Sequence, residues 1–148
     1  MATIGIVDFF TEDHAACDRL YAALEEALAD EEGPVPEAVF GQFERALDRH
    51  LAMEEGVLFP ALEAATGQRG GPTAVMRQEH AEMRGLLAQM NGALARGDRS
   101  ATQDAGDTLM MVIQQHNVKE EGMLYPMAES ALSAEWSALY PRLLKMQS

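Results

Sequence analysis

Two stretches, "HLAMEEGVLFP" from His50 to Pro60 and "HNVKEEGMLYP" from His116 to Pro126, state one phrase twice. Each reads His, three residues, Glu-Glu-Gly, one residue, Leu, an aromatic and Pro. Four residues along an α-helix are a rise of about 6 Å and a turn of about 40°. The histidine and the first glutamate of each copy therefore share one helix face. The other two histidines of the chain, His14 in "TEDHAACD" and His80 in "RQEHAEMR", stand 66 residues apart, as His50 and His116 do. The same shift sets Leu20 on Leu86, Leu58 on Leu124, Phe59 on Tyr125 and Pro60 on Pro126. A helix pair written twice predicts a bundle with an approximate internal two-fold repeat.

The rest of the chain reads as helix at three- and four-residue apolar steps. Ile6, Phe10, Cys17, Tyr21, Leu24 and Leu28 mark a first helix, which "DEEGPVPE" (Asp30 to Glu37) ends. Val39, Phe43, Leu47, Leu51, Leu58 and Leu62 mark a second, running to "TGQRGGP". A third follows Pro72 with Met76, Met83, Leu87 and Leu94, and a fourth runs from about Ala101 to Leu132. A tail helix over 133–146 takes Ser133 as its expected N-cap. Pro60 and Pro126 fall inside helices two and four, where each predicts a kink. The fold expected is all-α: an up-and-down four-helix bundle with a short C-terminal helix. One domain spans 1–148, with repeat halves at about 1–66 and 67–132.

Composition narrows the function. The 148 residues are 47% hydrophobic, with no apolar run long enough to span a bilayer. The start, "MATIGIVDFFTEDH", has no basic residue ahead of its apolar stretch, unlike a secretory signal. The net charge of −13 opposes binding to nucleic acid or to anionic membranes. The single cysteine, Cys17, fits a reducing cytoplasm and reads as a small core residue. The ten methionines read as core filler.

All four histidines belong to the repeat, and their neighbours on each stripe are apolar. His14 lies between Phe10 and Tyr21, while His50 and His116 follow Leu47 and Ile113. A buried polar group is costly unless something satisfies it, and a metal ion would. Folded together, the halves bring four imidazoles and two carboxylates to the bundle centre. Mixed imidazole and carboxylate donors favour iron or manganese over zinc. The thiolates of a structural zinc site and the H-E-x-x-H of a zinc peptidase are missing.

The residues His14, His50 with Glu54, His80, and His116 with Glu120 resemble the hemerythrin-like (HHE cation-binding) domains. The resemblance covers the first four helices, nearly the whole chain. It implies a non-haem di-iron centre, with His14 and His50 on one iron and His80 and His116 on the other. Glu54 and Glu120 would bridge the irons, with an oxo or hydroxo group. The pattern departs from oxygen-carrying hemerythrins, which have a fifth ligand histidine one turn from its partner on the third helix. Here those positions are Met76 and Arg84, so each iron would count five donors and keep an open position. Glu121 rivals Glu120, because those carriers use the longer spacing on the fourth helix; Glu120 is favoured for facing with His116 and mirroring Glu54. Glu55 and Glu121, turned about 140° from their histidines on an ideal helix, are expected in solvent or behind the ligands.

Two further expectations concern the surroundings. The 66-residue shift equates Asp18 with Arg84, and the two are expected to meet as a pair near the metals. Tyr21, roughly 10 Å along the helix from His14, is expected to line the pocket or stand near the far end of the site. The resemblance implies a protein that binds dioxygen or a related small molecule for storage, delivery or sensing. The competing reading is a di-iron redox enzyme acting on peroxide, nitric oxide or ferrous iron, with an unidentified redox partner.

Overall fold

The computed structural model describes residues 4–148, and no strand occurs among them. Helix α1 spans Ile6–Ala29 and α2 spans Glu37–Met53. A π-helical turn, Glu54–Leu58, joins α2 directly to α3, Phe59–Thr66. Helix α4 spans Pro72–Ala95 and α5 spans Arg99–Lys119. A second π turn, Glu120–Leu124, leads into α6, Tyr125–Ala131, and α7 spans Trp136–Gln147. None of these helices is long and apolar enough to cross a membrane.

Local chemistry accounts for the boundaries. Gly67 and Gly97 take the left-handed backbone (φ 70° and 72°) that ends α3 and follows α4, a conformation open to glycine without a Cβ penalty. Asp98 then caps α5 by accepting from the Ala101 amide at 3.0 Å. Arg99 closes the distant end of α1: its guanidinium donates to the carbonyls of Ala27, Leu28, Gly33 and Pro34. Glu63 on α3 accepts from Thr73 and Arg77 and so fastens α3 to α4.

The expected proline kinks take a particular form. Proline has no amide hydrogen and its ring crowds the carbonyl four residues back. Here the turn before each proline widens instead, with the Phe59 amide reaching Glu54 O and the Tyr125 amide reaching Glu120 O, five residues back. The helices continue through Pro60 and Pro126 with one extra residue accommodated on the inner face. The tail differs from expectation: α7 begins at Trp136, and Ser133 lies in the turn before it, where the buried Leu132 ends α6. Glu135, not Ser133, precedes α7, without a side-chain cap.

The helices enclose two apolar clusters. One gathers Phe10, Met53, Leu58, Phe59, Met76, Leu124, Tyr125 and Leu143 under α7. The other gathers Leu24, Phe43, Leu51, Met83, Leu87, Leu109 and Ile113 at the opposite end. On α1, α2, α4 and α5 the histidine falls at the border between the two clusters. A buried polar layer therefore separates two oily ones. Tyr21 packs edge-on against Phe43 in the far cluster, its ring 5.2 Å away, and takes no part in that layer.

Arg99 offers a test of how the loop after α1 is held. Replacing it with methionine keeps the aliphatic stem and removes four charge-assisted bonds, so the urea-unfolding free energy should drop by about 1–3 kcal/mol. A drop below the error of that measurement would show that the loop holds itself.

Candidate metal centre

The polar layer contains the six residues singled out by the repeat. His14, His50, Glu54 and Glu120 form one group whose donor atoms all lie within 4.8 Å of one another. Glu54, His80, His116 and Glu120 form a second on the same terms. Both glutamates belong to both groups, and all six side chains are buried, Glu54, His80 and Glu120 completely.

The orientation of each ring has an identifiable cause. Every histidine donates from Nδ1 to a carboxylate that stands behind it. His14 donates to Glu121 and His80 to Glu55, both at 2.7 Å. His50 donates to Asp13 at 2.7 Å and His116 to Glu79 at 2.8 Å. The acceptors follow one rule: the second glutamate of each Glu-Glu-Gly holds a histidine of α1 or α4, and the acid just before that histidine holds one on α2 or α5. With Nδ1 engaged, Nε2 is the nitrogen left to face the centre.

The π turns let two consecutive glutamates serve one site. On an ideal helix neighbouring residues diverge by about 100°. In the widened turn Glu54 enters the centre while Glu55 reaches the rim of the same layer, and Glu120 and Glu121 repeat the division. Glu120 has 0% side-chain exposure and Glu121 has 40%, so Glu120 is the one inside.

Several inward atoms lack a hydrogen bond. His80 Nε2, His116 Nε2, Glu54 Oε1 and Glu120 Oε2 are buried and unpartnered. His80 Nε2 nevertheless lies 3.0 Å from Glu54 Oε1, and His116 Nε2 lies 3.0 Å from Glu120 Oε1. Donor atoms that approach without bonding one another, all aimed at common points, fit cations between them.

The electrostatics of the metal-free protein point the same way. Burial pushes the Glu54 carboxyl up, and the adjacent Glu120 charge adds to it. Burial acts likewise on Glu120, but Glu54, His116 and His14 close beside it draw it well below the usual range. Burial works to lower His14, yet Glu120, Glu54 and Glu121 override it and push the imidazole up to about 9. His116 is raised by Glu120, Glu54 and Glu79 against the same opposing burial. Without metal, protons do the work of cations.

Asp13 and Glu79, which hold the rings of His50 and His116, are not among the residues singled out from the sequence. Their signal was present: an acid immediately precedes each of the two lone histidines, at the same 66-residue spacing. The expected pair between Asp18 and Arg84 is not formed. Arg84 instead donates to Glu55 at 2.7 Å and to Asp48 at 3.3 Å, so it supports the carboxylate behind His80. Lys119 does the same for Glu79, and Gln147 of α7 donates to Asp13 at 3.2 Å. Cys17 is buried, and burial raises its thiol to about 12, which keeps it protonated at neutral pH.

Beside the centre lies a small, largely enclosed cavity of about 10 Å³, bordered by His14, His50, His116, Cys17, Met83 and Ile113 among others. That is room for about one water-sized molecule.

Two outcomes follow. Substituting Gln for Glu55 or Glu79 keeps the shape but weakens the grip on the ring, and metal affinity should drop about 10–100-fold by competition titration. The second concerns pH. His14 has its folded value raised from 6.5 to about 9, so its protonation stabilises the metal-free fold fully below pH 6.5 and is lost as pH rises through about 9. The urea midpoint of metal-free protein should therefore decline across that window, while metal binding tightens and releases protons. A midpoint that rises from pH 6.5 to 9 would contradict the assignment.

Compared with curated proteins and with solved structures, the chain finds no match in either. The family model of the hemerythrin HHE cation binding domain does match, over residues 5–128. That span holds all six inward residues and the four carboxylates behind them, and the chain belongs to the hemerythrin HHE cation-binding domain family.

Proposed function

We propose that the chain is a non-haem di-iron protein that binds dioxygen or a related small molecule, for storage, delivery or sensing. It would do so as an up-and-down four-helix bundle of two repeated helix pairs. In this reading His14 and His50 hold one iron, His80 and His116 hold the other, and Glu54 and Glu120 bridge them. The observation that carries it is the pair of overlapping donor groups sharing two fully buried glutamates. Iron suits the donor set, which has imidazole and carboxylate but no thiolate. A di-iron pair bound there supplies redox-active cations with positions free for a small ligand.

The chain's own residues then define what reaches those cations. Asp13, Glu55, Glu79 and Glu121 fix the rings and raise their basicity. The two apolar clusters exclude bulk water from above and below. The cavity against His14, His50 and His116 has room for about one water-sized molecule. Its apolar border of Leu47, Leu51, Met83 and Ile113 suits a neutral guest better than an ion.

Purified protein should carry two irons per chain by elemental analysis, and His50→Ala or Glu54→Ala should reduce that to one or fewer. Unchanged iron in both variants would overturn the assignment. Exposing the ferrous protein to air should give a visible band that bleaches under vacuum. Irreversible oxidation with consumption of added peroxide would support the redox enzyme instead.

A further inference from the structure

Positions 59 and 125 occupy the same place in the repeated phrase, one as phenylalanine and one as tyrosine. Both rings are fully buried against a histidine. Phe59 stacks on His80 with centroids 5.5 Å apart, and Tyr125 leans on His14 at 5.5 Å while stacking on Phe10 at 5.2 Å. At this place in the phrase the two halves differ by one oxygen atom, and its position is informative.

The Tyr125 hydroxyl donates to Glu54 Oε2 at 2.6 Å. The same oxygen lies 3.0 Å from Glu120 Oε1, 3.0 Å from His14 Nε2 and 3.5 Å from His50 Nε2. Those four neighbours are the four residues of the first donor group. The hydroxyl donates its one proton to Glu54 and can accept from a protonated His14, so hydrogen bonding alone leaves the approaches to Glu120 and His50 without a purpose. A shared cation gives them one. Donor atoms about 2.1 Å from a transition metal stand about 3.0 Å apart at right angles and about 3.4 Å apart at tetrahedral angles. The two 3.0 Å distances, to Glu120 Oε1 and His14 Nε2, are those between neighbouring vertices of one coordination shell.

We propose that the Tyr125 oxygen is an additional protein ligand of the cation held by His14 and His50, making the two metal positions inequivalent. This deepens the di-iron reading and rests on it. With two histidines, two bridging carboxylates, a solvent-derived bridge and Tyr125, the first position is filled at six donors. Phe59 supplies no donor to the second, which would keep five and one open position. On coordination the O–H bond breaks, the phenol proton leaves to solvent, and the oxygen binds as phenolate.

The test is the resonance Raman and visible spectrum of the iron(III)-loaded protein, with iron content measured on the same samples. Wild type should show phenolate-to-iron charge transfer with tyrosinate ring modes. Tyr125→Phe should retain two irons and lose those modes entirely, and Phe59→Tyr should add a second set. Two irons without tyrosinate modes in wild type would overturn this inference while leaving the di-iron reading intact. Modes that persist in Tyr125→Phe would overturn it as well. Wild type that binds no iron would overturn the di-iron reading itself.

Discussion

Glu54 and Glu120 lie side by side with no exposure to water, each within reach of all four histidines and of the other. Moving one carboxylate into such a place costs several kcal/mol, and two together repel as well. A fold keeps that arrangement only if something positive sits between them. In the metal-free protein that role falls to protons on Glu54, His14 and His116. In the proposed metal-loaded protein the same atoms would be the ligands, and the free energy of binding would add to the free energy of folding.

The rest of the molecule is arranged around that constraint. Each imidazole is tied from behind, and most of those ties continue outward: His80 to Glu55 to Arg84, His116 to Glu79 to Lys119, His50 to Asp13 to Gln147. The cationic ends of two of these chains hold the Glu55 and Glu79 carboxylates ionised, since Arg84 and Lys119 draw both below their usual range against burial. Ionised acceptors in turn keep the imidazoles oriented. The third chain recruits α7, which also seals the lower apolar cluster through Leu139 and Leu143. Packing and site geometry are therefore one system, in which hydrogen bonds link the surface end of each chain to an inward histidine.

Much of this was legible in the residues alone. Helices of about twenty residues declare themselves by period, and His50 with Glu54, or His116 with Glu120, declare a shared face by their spacing. The π turns were not legible, because proline predicts only that something must yield and does not say whether the helix bends or widens. That gap hid the use of Glu55 and Glu121, which an ideal helix would send away from the site. The mistaken pairing of Asp18 with Arg84 has a related cause. A repeat equates positions, but contacts depend on which helices neighbour each other, and Arg84 finds Glu55 and Asp48 on the helix segments it packs against. The Tyr125 oxygen was visible as a letter, yet its meaning came only from four distances.

The most direct test of the account is anomalous diffraction at the iron edge from crystals of the iron-loaded chain. The account predicts two peaks inside the polar layer. One should be ringed by His14, His50, Glu54 and Glu120, and the other by His80, His116, Glu54 and Glu120. Iron found only on the acidic surface, with the six inward side chains still paired to one another, would contradict it.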